Sequence, residues 1–257
     1  MANPHALCAV LVATCVLGVA APSQATVISG TSVAIGATST LTSSDGSVSA
    51  ALSPTDVLVN TSPAPYKNST GASSGSAGST VTFGALTASD QSDVDGLAGT
   101  RTTLTAASVG AVTISIPRLF SLTFNSLTSF AGVSGDFGAL GTLAQTSISG
   151  LAINGAAVTV TSAANQVVFN NGGLTVTVNA QSATGDKSSS ANLSVNGIDV
   201  GFKNVTYGNT VLNGDVIFAS STAAESATPN PVAVPEPAGM ALLGLGLAAA
   251  AVARRRT

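Results

Sequence analysis

From Thr26 onward apolar and polar side chains alternate with a period of two, the spacing of strands that turn one face to a core. Val27-Ile28-Ser29 and Ser32-Val33-Ala34-Ile35 open the pattern within Thr26 to Leu41. Thr80 to Leu86, Thr100 to Leu104, Ala111 to Ile116, Ser121 to Phe124 and Ser126 to Phe130 continue it. Pro117 ends one of these runs, as a residue without an amide donor does at a strand terminus. Before Ala238 no stretch sustains the helical period, and Phe137 to Leu143 offers a single helical turn. The pattern predicts an all-β body over residues 26–219, a sandwich-like antiparallel domain, with a β-solenoid as the alternative. A body of this length can bury one core, here of Val, Leu, Ile and Ala with Phe as the larger filler.

Two stretches break the alternation. Residues 61–79 are rich in Ser, Gly, Pro and Ala and predict a long loop; residues 220–233 predict a flexible stalk. Four Asn-Gly pairs, at Asn154, Asn171, Asn196 and Asn213, each predict a tight hairpin turn, because Asn-Gly tolerates the positive φ that such turns need. A shift of 42 residues carries Asn154 onto Asn196 and Asn171 onto Asn213. The same shift carries Leu151-Ala152-Ile153-Asn154-Gly155 onto Leu193-Ser194-Val195-Asn196-Gly197, which suggests two copies of a hairpin pair.

The two ends read as addresses and not as parts of the fold. Ala6 to Ala21 is an apolar stretch of signal-peptide length, and Ser23-Gln24-Ala25 fits the small-x-small rule, predicting a signal peptide over 1–25 cleaved after Ala25. Residues 2–5 lack Lys and Arg, a departure from the usual charged n-region that implies a true start upstream of Met1. At the other end Val234-Pro235-Glu236-Pro237 precedes an uncharged apolar run, Ala238 to Ala253, and then Arg254, Arg255 and Arg256. Arginines beside an apolar helix hold that end in the cytoplasm. The run falls short of the ~20 residues of a comfortable span, and Pro235 and Pro237 stop the helix from extending backward. Residues 234–257 thus predict a marginal transmembrane helix that serves as a sorting signal.

This order of Pro-Glu-Pro, Gly/Leu/Ala helix and arginine tail resembles the PEP-CTERM sorting signal of Gram-negative bacteria. The resemblance implies transit through the inner membrane after Sec translocation, recognition by an exosortase, and delivery to the cell surface or extracellular matrix.

Composition narrows the chemistry of the body. Cys8, Cys15 and His5 all precede Ala25, so the body beyond it holds no thiol, no imidazole and no Trp. That excludes disulfides, zinc or copper sites built on Cys or His, and nucleophilic triads or dyads that use either. Lys67, Lys187 and Lys203 are isolated in turn-like surroundings, and no aromatic cluster accompanies the scattered aspartates. No catalytic residue is assigned, and a non-enzymatic protein is expected. Arg254 to Arg256 are three of the eight basic residues and Glu236 is one of the eleven acids, so the body keeps five basic and ten acidic side chains. A net charge of about −5 repels nucleic acid and anionic membranes. Asp90, Asp93 and Asp95, followed by Gly96, are the candidate ligands for calcium, since close aspartates in a turn supply the oxygens this ion takes. An EF-hand register fails there, with Gln91 at the first position and Thr102 at the last.

A second resemblance covers the last third of the body. Ile148 to Gly155, Val158-Thr159-Val160, Ala164-Asn165-Gln166 and Gly173 to Val176, with Leu193 to Gly197 and Gly214 to Ser221, resemble the choice-of-anchor P family. It implies an exported β-domain joined to a surface-sorting tail and assigns no activity. The sequence as a whole points to an exported surface or matrix protein, associated with biofilm or exopolysaccharide, with a calcium- or carbohydrate-binding module as the alternative.

Overall fold

The computed structural model describes residues 26–46 and 49–229. The predicted signal peptide and the predicted C-terminal helix lie outside the described residues. Ala25–Thr228 form one compact unit made of strands. Strands β1 (Thr26–Ser43) and β2 (Ser49–Thr61) begin a first layer. The chain then crosses to a second layer and builds β3 (Tyr66–Ala72), β4 (Gly75–Ala77), β5 (Val81–Phe83), β6 (Leu86–Ser92), β7 (Arg101–Val109) and β8 (Val112–Ile116). The same layer continues with β9 (Phe120–Phe124), β10 (Ser126–Asp136), β11 (Ala139–Ser149), β12 (Ala152–Ile153) and β13 (Ala156–Ala157). It returns to the first layer for β14 (Gln166–Asn171), β15 (Leu174–Thr184), β16 (Ser190–Tyr207) and β17 (Thr210–Thr228). Every pairing among these strands is antiparallel, and no barrel closes. The all-β expectation holds, and the stacked rungs of the solenoid alternative are not what these residues form.

The first layer is one sheet in the order β14-β15-β16-β17-β1-β2. Its three longest strands hold 18 or 19 residues, roughly 60 Å of extended chain. The second layer comprises two sheets, β11-β10-β7-β6-β3 and β13-β12-β9-β8-β5-β4. Apart from the short β13 at one edge, these orders correspond: β11 runs into β12, β10 follows β9, β7 runs into β8, β6 follows β5 and β3 runs into β4. The second layer is therefore a set of five long strands creased across the middle. Backbone bonds span the crease, with Gly84 donating to Ala111 at 2.7 Å and Gly110 to Ala85 at 2.8 Å, so these amides stay paired where the sheet breaks.

The first layer is creased at the same level. On β1 the inward set runs through Ser32 and Ala34, then switches phase to Ala37, Ser39 and Leu41. On β16 it changes from Leu193 and Val195 to Ile198 and Val200, and on β17 from Val216 and Phe218 to Ala219 and Ser221. A single extra residue in a strand produces this reversal. Asn179 and Ala219 take φ of 54° and 51° there. Opposite the crease, Leu86 and Leu127 of the second layer fill the space over Gly36 and Gly197. A Cβ on either glycine would stand 2.9 Å from a leucine carbon.

Several sequence expectations are corrected. Residues 61–79 are not a continuous loop but contain β3 and β4, whose backbones pair with β6 and β5. Ser220–Thr228 belong to β17, with Ala223 and Ala227 buried, so the predicted stalk does not begin at 220. Small side chains looked like a linker, yet these residues are hydrogen-bonded on both sides, to β1 and β16. Phe137 to Leu143 form a hairpin turn and the start of β11, not a helical turn. Asn154-Gly155 does form the hairpin turn between β12 and β13, whereas Asn171 ends β14 and the turn to β15 is Gly172-Gly173. Asn196-Gly197 and Asn213-Gly214 instead lie inside β16 and β17. The 42-residue offset therefore superposes turns on strand interiors and does not mark a structural repeat. The turn between β16 and β17 is Gly208-Asn209.

Candidate functional site

Inward-facing polar residues form a belt between the first layer and β6 and β7. Asp90 on β6 is 3% exposed. Its Oδ2 accepts from Ser32 Oγ at 2.8 Å and from Asn60 Nδ2 at 2.6 Å, while Oδ1 has no partner. Ser32 Oγ also lies 2.8 Å from the Tyr66 hydroxyl. Burial raises the Tyr66 phenol above its usual range, opposed by the Ser32 hydrogen bond and reinforced by the charges of Asp90 and Glu225. Further along the belt Ser92 Oγ and Thr103 Oγ1 are 3.1 Å apart, and Ser62 Oγ donates to the Gly30 carbonyl at 3.3 Å. Ser129 and Ser221 hydroxyls bridge the layers at 2.7 Å.

Glu225 on β17 completes the belt and is its least satisfied member. It is 2% exposed, and neither carboxylate oxygen has a hydrogen-bond partner. Burial pushes its carboxyl up to about 7; the nearby Thr103 hydroxyl tempers the rise and the charge of Asp93 adds to it. A buried carboxyl without a cation escapes the cost of desolvated charge by keeping its proton.

The three candidate calcium ligands are not brought together. Asp90 points inward to Ser32 and Asn60. Asp93 Oδ1 accepts the Thr102 amide at 2.6 Å. Asp95 Oδ1 accepts the Leu97 amide at 3.0 Å and Arg101 Nε at 2.7 Å, and these hold its carboxyl below the usual range, the amide first. Strand alternation explains the divergence: Asp90 is on the core side of β6, whereas Asp93 and Asp95 lie in the exposed connection to β7. Among the described residues no group of three acidic, His or Cys side chains is arranged to hold a metal ion.

The ends of the body matter for delivery. Thr26, the first residue of β1, is the register partner of Thr228, the last of β17. Four residues then separate Thr228 from position 233. Residues 233–256 match the PEP-CTERM protein-sorting motif. The chain carries that motif. It implies export, passage through the membrane and sorting to the cell surface, and it is processed by exosortase. Val234, Pro235, Glu236, Pro237 and Arg254 to Arg256 all fall within the match. These residues, like Ser23 and Ala25 of the predicted cleavage site, lie outside the described residues. No curated protein matches the chain.

The polar belt had no signature in the sequence. Ser, Thr and a lone Glu in an Ala-rich segment give no period of their own, and their burial is decided by strands 30 to 90 positions away. The match at 233–256 needed no fold to be recognised.

Proposed function

We propose that this is a non-enzymatic surface or extracellular-matrix protein, released to its destination by exosortase processing and associated there with polysaccharide. The observation that carries the reading is the PEP-CTERM motif, separated by four residues from a strand that pairs with the first strand of the body. Thr26 and Thr228 are register partners, so the first and last strand residues of the body lie side by side. A body whose two ends meet can fold while either remains tethered. β17 lies between β16 and β1, so the sheet closes only when the final strand has been translocated.

The absence of Cys and His beyond residue 15 supports a non-enzymatic role. The resemblance of Ile148 to Ser221 to the choice-of-anchor P family supports a β-domain delivered by an interchangeable tail. Hydroxyl-rich, sparsely charged outer faces support association with a polysaccharide.

Mass spectrometry of intact protein and its peptides, from membrane, surface-washed and medium fractions, tests the delivery. A form that begins at Thr26 and ends near Pro235-Glu236-Pro237, in surface or medium, is expected. Recovery in membranes alone with Arg254 to Arg256 intact would refute it and leave a tail-anchored envelope protein.

A further inference from the structure

The outer face of the second layer holds polar groups that the fold leaves unused. Register aligns Lys67, Gln91, Leu104 and Gly132 in one row across β3, β6, β7 and β10. The adjacent row is Ser69, Ser89, Ala106 and Phe130, extended onto β11 by Gln145. Apart from Gly132 and Gln145, the residues of these rows line a depression of about 470 Å³. Its floor is apolar. Phe83, Phe120, Phe124, Phe202 and Phe218 are buried, but Phe130 is half-buried on the solvent side. Its Cε1 and Cζ lie 3.3 and 3.4 Å from the position a Cβ on Gly132 would take. The missing side chain at Gly132 leaves room for the Phe130 ring beside Leu104 on this half-buried face.

Elsewhere on this face hydroxyls satisfy one another across strands. Thr102 and Ser134 are 3.0 Å apart, Ser126 and Ser149 are 2.7 Å apart, and Thr87 bonds Ser108. Around Phe130 they do not: among the described residues Lys67, Ser69, Ser89, Gln91 and Gln145 make no side-chain hydrogen bond or ion pair. The neighbouring carboxylate, Asp90, is turned to the opposite side of the sheet.

We propose that this depression binds a polysaccharide chain bearing uronic acids. A pyranose offers a C–H face to the negative face of an aromatic ring, and its hydroxyl rim needs both donors and acceptors. The Gln91 amide supplies both, as do the Ser69 and Ser89 hydroxyls. Lys67 makes no ion pair in the protein and selects a carboxylate on the sugar. Apolar floor with a few convergent polar groups is the usual composition of a ligand site. The assignment deepens the polysaccharide association proposed above and rests on it.

Native gel electrophoresis of the exported protein through gels containing alginate, polygalacturonate or neutral dextran tests the site. The two polyuronates are expected to retard the wild type, and dextran to retard it much less. Phe130→Ala and Gln91→Ala should weaken retardation about tenfold, as the loss of one stacked ring or one bidentate partner does. Lys67→Ala should remove the preference for polyuronates. Asn192→Ala, on the outer face of the first layer, should behave as wild type, with unchanged circular dichroism melts showing that all variants fold. Wild type retarded by a polyuronate with Phe130→Ala retarded equally overturns this site and leaves the function reading intact. Equal retardation by dextran overturns the uronate assignment. A wild type that no polymer retards overturns both the site and the polysaccharide association.

Discussion

The buried carboxyl of Glu225 makes folding stability depend on pH in a defined direction. In the folded chain burial pushes it up to about 7, against 4.5 for an ordinary glutamate. The folded state therefore keeps a proton that the unfolded chain has already released. Its stabilisation is complete below the unfolded value and is lost as pH rises through the folded one. At 1.36 kcal/mol per pH unit, the interval from 4.5 to about 7 corresponds to at most about 3 kcal/mol. The assay is urea denaturation followed by far-ultraviolet circular dichroism at steps between about pH 4.5 and 8.5, with the midpoint read at constant slope. The wild type should lose about 2–3 kcal/mol across this window. Glu225→Gln keeps the shape and cannot ionise, so its profile should be flatter by that amount, making it the more stable chain at alkaline pH. Asp90 shares the buried belt, Asp93 lies in the exposed connection to β7, and Tyr66, raised by burial, ionises above this window. A slope that persists in Glu225→Gln would place the dependence outside Glu225 and refute the reasoning, as would a flat wild-type profile.

Other expectations follow from the same geometry. Gly197→Val drives a side chain into Leu127 across the creases and should cost about 1–3 kcal/mol by denaturant midpoint; an unchanged midpoint would show that the creases do not need this close approach. Asn179 accepts from Thr146 and Gln181 and donates to the Ser162 and Ala163 carbonyls. Its replacement by Ala should cost about 1–3 kcal/mol and increase hydrogen exchange in residues 161–166. Asp186 holds the turn between β15 and β16 through the amides of Ser188, Ser189 and Ser190, which keep its carboxyl far below the usual range. Asp186→Ala should speed exchange of those three amides while the amides of β16 beyond Asn192 stay protected. Millimolar calcium should leave the Tm unchanged, because Asp90, Asp93 and Asp95 serve separate partners; a rise of several degrees would reveal a site that the geometry does not contain.

The β character and the sorting tail were legible in the chain itself. Alternation from Thr26 and from Ala111 needs only neighbouring residues to be read, because a strand turns successive side chains to opposite faces. The PEP-CTERM motif is read as a linear string, so no fold intervenes between residues and recognition. The Asn-Gly pairs show where this local reading ends. Positive φ serves a hairpin turn and a strand irregularity equally well, and both uses occur, at Asn154-Gly155 and at Asn213-Gly214. Only the partner strands decide between them.

Burial of small residues was equally undecided by sequence. Ala223, Ala224, Glu225, Ser226 and Ala227 have the composition of a linker, because Ala and Ser have little preference for core or water. They became the end of a central strand because β1 and β16 offer backbone partners on both sides. The same pairing carried Glu225 under the second layer and brought Asp90 to Ser32 from 58 residues away. The placement of Phe130 among unsatisfied amides and hydroxyls likewise required four registers to agree. Local preference determined strands and address; long-range hydrogen-bond register decided which of their polar groups are buried and which are left for a partner.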